Sequence, residues 1–469
     1  MSLCVNNSID KIKHYCGIVG IHSLSERNIP QDLFFPLFSL QHRGQEGAGI
    51  SYLNNGKLVT YKDLGMVSDV LGRYLEEDRK STVGIGHVRY STTGGNQVEN
   101  VQPIQASCNK GDISIAHNGN FSNSDFLKSK LTEKGAIFGC TTDSELVLHL
   151  IAHSMQDTFY KALKETLCYL EGAFSMVMVR EDNLYIMRDP MGFRPLYIGQ
   201  KDGFTVCASE SCALDILDIT DYRSVEPGEL IVVNSNGIQS EIFATAKRKA
   251  QCSFELIYFA RPDSQIFDTS VYASRLQMGR VLAQQDGDEI ENFDLVMSVP
   301  DSGNTAALGY AKESGLSYEL GLTRNHYTGR SFILPTQKKR ELAVKMKLHP
   351  VKEIVKDKRI VLVDDSLVRG TTSSIIVKLL RSAGAKEVHV RLSAPEINGP
   401  CYYGIDVPTK EELISTTKTP EEIAKHIGAD SVKFLPVDKL KTCFDKSEDF
   451  CYACFNNDYP VEPKTGKDK

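Results

Sequence analysis

The sequence predicts a two-part mixed fold, an α+β unit followed by an α/β unit built on a parallel sheet, and three observations carry that expectation. Residues 16 to 242 read mainly as strand-length apolar runs separated by glycine-rich turns. From about residue 250 the style changes, and apolar strands feed polar glycine loops and then helices, the rhythm of a parallel sheet. The composition is that of a globular chain of two or three domains: 469 residues, 41% hydrophobic and 24% charged. A formal charge of −6, from 54 Lys+Arg against 60 Asp+Glu, gives no general reason to bind nucleic acid or an anionic membrane. Any phosphate must therefore be held locally. No apolar run approaches the roughly 20 residues of a membrane span.

Residues 1–15, MSLCVNNSIDKIKHY, lack both the apolar centre of a secretory signal and the arginines of a mitochondrial presequence, so a cytoplasmic location is expected. Thiols stay reduced there, and each of the twelve cysteines needs catalysis, metal ligation or burial to account for it. CGIVGI, VGIGHV, DISIAH, FSMVMV and LYIMR are the strands of the first part, interrupted by helical spacing around Leu33 to Leu40 and from Asp143 onward. Sheets with a few covering helices are their natural packing. In the second part DLVMSVP (294–300) and RIVLVDD (359–365) are strands, and the latter opens the clearest strand–loop–helix unit. There Ile375 pairs with Leu379 and Ile376 with Leu380 at i,i+4 spacing, and Gly384 suits a helix stop. Near the end Thr419 can cap a helix, with Pro420 at its first position, Glu422 completing a capping box and Gly428 ending it.

Chemistry in the first part centres on CGIVGI (16–21), QHRGQEGAGI (41–50), GHVRYSTTGG (86–95), AHNGN (116–120) and DSE (143–145), in that order. Taken singly, Cys16 is a strand cysteine, Arg89 a surface ion pair and HNGN a hairpin turn. Together the set resembles the N-terminal-nucleophile glutamine amidotransferases, which implies an αββα sandwich over about 230 residues. Amide hydrolysis needs a nucleophile, a base and an oxyanion stabiliser. If the chain is cut after Tyr15, the α-amino group of Cys16, with a reference pKa of roughly 7.7 to 8.0, can serve the thiol as base. The resemblance further implies that Asn118 and Gly119 donate to the oxyanion, that Arg89 pairs with the α-carboxylate of glutamine, and that Asp143 accepts from its α-ammonium.

In the second part VLVDDSLVRGTTS (361–373) resembles the phosphoribosylpyrophosphate (PRPP) motif of type I phosphoribosyltransferases. Asp364 and Asp365 end a strand and can accept from ribose hydroxyls, and the loop Ser366, Arg369, Gly370, Thr371, Thr372 offers backbone N–H groups and hydroxyls to a 5-phosphate. The resemblance adds Ser302 of SVPDSG, with Asp364 and Asp365, facing pyrophosphate and its Mg²⁺, and Arg330 of the basic segment 324–341 as a pyrophosphate contact. A solvated surface loop is the plainer reading of that basic segment. Arg324 and His326 stand where Lys and Arg are common in bacterial relatives, and their roles stay open.

The order of the two halves over nearly the whole chain resembles the amidophosphoribosyltransferase family, whose members convert glutamine, PRPP and water to phosphoribosylamine, glutamate and pyrophosphate. The resemblance implies segments 1–15 (propeptide), 16–245 (glutaminase), 246–405 (phosphoribosyltransferase) and 406–469 (C-terminal), and places Tyr258 of YFARPDS where the domains meet. Cys252, Cys401, Cys451 and Cys454 match the contexts of its iron–sulfur subclass, implying one [4Fe–4S] cluster; zinc, or a redox-active or merely packed CxxC pair, are the alternatives. Cys108, Cys140, Cys168, Cys207 and Cys212 are expected to be packed small hydrophobes. Feedback inhibition by purine nucleotides and a homotetramer are also implied. Glucosamine-phosphate synthase would need sugar-isomerase domains and asparagine synthetase an SGGxDS loop, and neither is seen. A PRPP-sensing protein without catalysis is the rival of another class.

Overall fold

The structure, a computed structural model, describes residues 16–75, 79–90, 97–325, 344–407 and 409–462. The expected leader 1–15, and the centre of the basic segment with His326 and Arg330, lie outside these described residues.

The glycine-punctuated strands of the first part pair into two antiparallel sheets. One runs in the spatial order Tyr222–Ser224, Tyr197–Lys201, Phe204–Ala208, Gly17–Asn28, Lys80–Arg89, Gly47–Asn54 and Lys57–Leu64. The other runs Gly237–Ile242, Glu229–Asn234, Asn183–Arg188, Gly172–Arg180, Gly111–Phe121 and Ile104–Cys108. Strand alternation sorts the side chains. In Gly17–Asn28, Ile18 enters the core between the sheets with Ile85, Val177 and Ile186, while Val19 and Ile21 join Leu33 and Leu37 of helix Ile29–Ser39 on the outer side. Gly20 permits the sheets' close approach, since a Cβ there would stand 3.0 Å from Leu184 Cδ1 and 3.3 Å from Val177 Cγ1 of the other sheet. Helices Ser124–Glu133, Glu145–His153 and Phe159–Tyr169 cover the second sheet through Leu127, Leu146, Ile151 and Leu163. These layers make the expected αββα sandwich.

In the second part Leu295–Ser298, Arg359–Asp364, Glu387–Leu392 and Ser431–Phe434 form a parallel sheet in that order. Helices Val271–Asp286 and Asn304–Ser314 pack on one face, and Thr371–Ser382 with Pro420–Ile427 on the other. Val361, Leu362 and Val363 alternate between the two cores, so the continuous apolar run IVLV reflects burial on both faces. The fourth strand, Ser431–Phe434, lies past residue 405, within the C-terminal segment expected from the sequence. The capping box of Thr419 and Glu422 forms as the sequence predicts, and Gly428 ends the helix at φ 80°.

The expectation for the remaining cysteines holds at Cys207 and Cys212, which are buried, and at Cys108 and Cys140, which are half-buried and pack against an apolar core, and fails at Cys168. Cys168 is exposed, because one residue past buried Leu167 the helix has turned toward solvent. Cys108 and Cys140 also make polar contacts at their exposed side, Cys108 Sγ to the Gly111 carbonyl at 3.7 Å and Cys140 Sγ to Glu145 at 3.1 Å.

Candidate functional site

Cys16 immediately precedes the strand Gly17–Asn28, and its thiol lies 3.6 Å from the Tyr90 carbonyl, just past the neighbouring strand Lys80–Arg89. Burial pushes the thiol above its ordinary pKa; the guanidinium groups of Arg89 and Arg43 oppose this and Asp143 adds to it. Cys16, Arg89 and Asp143 are thus brought to one place. Arg89 is buried, at a cost that lowers its own pKa, and the Cys16 and Glu46 side chains favour its charge.

The second sheet supplies the other wall. His87, held neutral by burial with a pKa lowered to about 3, donates from Nε2 to the His117 carbonyl at 3.3 Å, which sets the end of Lys80–Arg89 against Gly111–Phe121. The next residue, Asn118, is fully buried, and neither its Nδ2 nor its Oδ1 has a hydrogen-bond partner among the described residues. A buried amide left in that state costs about 1–3 kcal/mol, which suits a group that awaits a ligand. Gly119 admits no side chain, since a Cβ would stand 2.0 Å from the Ala173 carbonyl oxygen. Asp143 sits in the turn before helix Glu145–His153 and accepts the Phe121 N–H at 2.9 Å. Gln102 escaped the sequence reading: its amide oxygen accepts the His117 N–H at 2.7 Å and its amide nitrogen donates to Ser144 Oγ at 3.1 Å, linking Asn118's strand to Asp143's turn. A lone glutamine before proline carries no local signal of such a role.

The second site lies at the C-terminal end of the strand Arg359–Asp364. Asp364 and Asp365 are buried, and Asp365 accepts from the hydroxyls of Ser302 and Ser366. The Ser302 loop is pressed against the Asp364 strand: the Val299 N–H donates to the Val363 carbonyl at 2.9 Å, and a Cβ on Gly303 would stand 2.5 Å from that oxygen. Gly370, at φ 80°, turns the chain into helix Thr371–Ser382, which places the Thr371 and Thr372 N–H groups in its first turn. Arg369 pairs with Glu412 at 3.0 Å, and Arg324 pairs with Asp301 of the Ser302 loop. Oxygen ligands of this kind fit a hard cation such as Mg²⁺.

Between the sites runs a fully buried ionic chain that the sequence did not reveal. Arg43 donates from Nε to the Cys16 carbonyl at 3.1 Å, and from its Nη atoms to Glu255 at 2.8 and 3.0 Å and to Glu210. Glu255 opens the helical turn Glu255–Phe259, which carries Tyr258. Arg275 wraps that turn, donating to the Leu256 and Ala260 carbonyls, each at 2.8 Å. Burial lowers the Arg275 pKa to about 10, and its charge is supported first by Asp365 of the second site and then by Glu210.

Cys252, Cys401, Cys451 and Cys454 line one small cavity. Cys252 and Cys451 are neighbours in a parallel pair of short strands, Gln251–Cys252 and Phe450–Cys451. Burial raises the Cys252 and Cys454 thiols, Cys252 to about 12, and Cys401 adds to the rise at both. Among the described residues, no three His, Cys, Asp or Glu side chains converge on a position for a single ion. Four thiols are a donor set that fits an iron–sulfur cluster and equally a zinc ion. Cys443 is buried but does not line that cavity.

The glutamine amidotransferase domain family (GATase_7) matches residues 87–215. The chain is 49% identical over 457 residues to the chloroplastic amidophosphoribosyltransferase of Glycine max, covering 97% of this chain and 79% of that one. It is 45% identical over 464 residues to the amidophosphoribosyltransferase of Methanocaldococcus jannaschii, with 95% and 98% covered. Among solved structures, the glutamine PRPP amidotransferase of B. subtilis complexed with ADP and GMP is 44% identical, superposes with a TM-score of 0.88 and covers 95% of this chain and 98% of its own. The chain belongs to the amidophosphoribosyltransferase family, the glutamine-dependent glycosyltransferases of the first step of purine biosynthesis.

Proposed function

We propose that Cys16 is the nucleophile of a glutaminase half-reaction, with its own α-amino group, freed by removal of residues 1–15, as base. The support is that the thiol's hydrogen-bond partner is a carbonyl, which cannot serve as its base at neutral pH, and that Arg89 and Arg43 favour the thiolate without accepting a proton. The thiolate attacks the carboxamide carbon, and the Asn118 amide with the Gly119 N–H receives the developing oxyanion. Arg89 and Asp143 take the α-carboxylate and α-ammonium of glutamine. Ammonia leaves with a proton relayed by the α-amine, and water then frees glutamate from the thioester.

At the second site Asp364 and Asp365 hold the ribose hydroxyls, and Ser366 to Thr372 cradle the 5-phosphate. Ser302, Asp364 and Asp365 would hold Mg²⁺ with PRPP; when bound, Mg²⁺ supplies positive charge beside the departing pyrophosphate. Arg330 and Tyr258 are proposed to contact PRPP in the closed state. The four cysteines would hold a [4Fe–4S] cluster whose role is to pin the C-terminal segment to Cys252 and Cys401. Inhibition by purine nucleotides, a homotetramer and a cytoplasmic setting belong to the same proposal. A nucleotide complex is on record for the B. subtilis relative, and plant relatives are named chloroplastic. No helix among the described residues is long and apolar enough to cross a membrane.

The observation that carries the coupled reaction is that one turn, residues 255–260, is gripped both by Arg43, which holds Cys16, and by Arg275, which Asp365 supports. Pyrophosphate release from PRPP, measured with glutamine and separately with ammonia, tests it. Release with both is expected, and inertness with both would favour a PRPP sensor.

A further inference from the structure

We propose that Arg194 is the buried counter-charge of the four-cysteine cage and, through the Tyr403 carbonyl and Glu255, ties filling of that cage to the placement of the glutaminase site. The inference rests on the cluster assignment above and goes beyond it. Four thiolates around an iron–sulfur core form a net anion, and a buried anion needs a compensating charge nearby. Among the described residues lining the cavity, Arg194 is the charged side chain other than the thiols, and it is fully buried. Its field acts on both Cys252 and Cys451.

Its existing partners leave it suited to that task. Glu255, the carboxylate it meets at 3.4 Å, is already held at 2.8 and 3.0 Å by Arg43. Glu255 therefore does not absorb the whole of the Arg194 charge. Arg194 also donates from Nη2 to the Tyr403 carbonyl, within the segment that carries Cys401. That segment lies directly on the oxyanion strand: Asn120 Nδ2 donates to the Tyr402 carbonyl at 3.0 Å, and a Cβ on Gly404 would stand 3.3 Å from both Arg194 Nη2 and the Gly119 oxygen. Two routes thus leave Arg194, one through residues 402–404 to Gly119 and one through Glu255 and Arg43 to Cys16. Drawing the guanidinium toward a filled cage, or releasing it from an empty one, changes both.

The test compares the full chain, prepared without air, as wild type, Arg194→Lys and Arg194→Met. Arg194→Met should give a cluster with a more negative reduction potential, because a cation that favours the added electron is gone. It should also lose iron to a chelator about 10-fold faster or more, with Arg194→Lys close to wild type. A loaded Arg194→Met chain with wild-type potential and iron release overturns the proposal. Should Arg194→Met fail to fold, wild type still decides the link: alkylation of Cys16 by a glutamine-analogue chloroketone should slow several-fold once a chelator has stripped the cage. Equal rates overturn it. Wild type free of iron and sulfide would sink the cluster assignment itself, whereas a loaded wild type beside an indifferent Arg194→Met sinks only the part given to Arg194.

Discussion

At the scale of single residues, the site is defined by groups whose surroundings would be unfavourable without a ligand. Asn118 is the sharpest case, a fully buried amide with no hydrogen-bond partner among the described residues. Asn118→Ala should lower glutaminase kcat by about 10²–10³ while ammonia-dependent turnover of PRPP persists. Steady-state assays with the two nitrogen donors check this, and loss of both activities would place Asn118 in the general fold instead. Cys16→Ala should abolish glutamine-dependent turnover and spare ammonia-dependent turnover. Intact mass spectrometry of the native protein should show loss of residues 1–15, and a fully active chain that retains them would overturn the role given to the α-amine. Asn118 and Cys16 stood out in the sequence as candidates because their neighbours carry recognisable patterns; Gln102 and Arg43 did not, because their contacts lie with partners far along the chain.

At the scale of elements, the proposed phosphate loop depends on how a strand is turned into a helix. Gly370 is left-handed, and a Cβ there would approach Ile427 and Ile414 at 3.1 and 3.2 Å. Gly370→Ala should raise KM for PRPP with little change in glutamine hydrolysis, as initial rates over a PRPP series would reveal. The strand Arg359–Asp364 is moored at its start by Arg359, whose hydrogen bonds hold the Asp294 carboxyl down to about 2. A depressed carboxylate adds stability above its unfolded pKa and loses it as pH falls. The stability gap between wild type and Asp294→Asn should therefore be full above about pH 4 and vanish toward pH 2 in acid-unfolding titrations. Helix Pro420–Ile427 was legible to the residue because capping is local chemistry. Strand Ser431–Phe434 was not recognised as part of the parallel sheet, because its membership is decided by pairing with Glu387–Leu392.

Across the whole molecule, the two sites share one buried ionic chain, Cys16 carbonyl–Arg43–Glu255–Arg194, with Arg275 reaching from the same turn toward Asp365. Removing Glu255 would leave two arginines buried beside each other. Glu255→Ala should accordingly cost about 3–5 kcal/mol of stability and uncouple glutamine hydrolysis from PRPP. Thermal unfolding together with glutaminase rates measured with and without PRPP would test both parts, and an unchanged PRPP response would remove the chain from the coupling. The aromatic pair Phe193–Tyr403, with rings 4.3 Å apart, packs the cysteine cavity against the glutaminase unit, so this region belongs to both halves.

By itself the sequence determined the two architectures, the order of the halves and the candidate reacting groups, because strand alternation, turn glycines, helix caps and short motifs are all written within a few residues of one another. Only the tertiary structure decided which distant side chains compensate buried charge. Arg43, Glu210, Glu255 and Arg194 come from separate segments, and nothing in their local sequence distinguishes them from surface ions. The physical reason is that burial of a charge is a property of everything packed around it, and packing is fixed only once the chain has closed on itself.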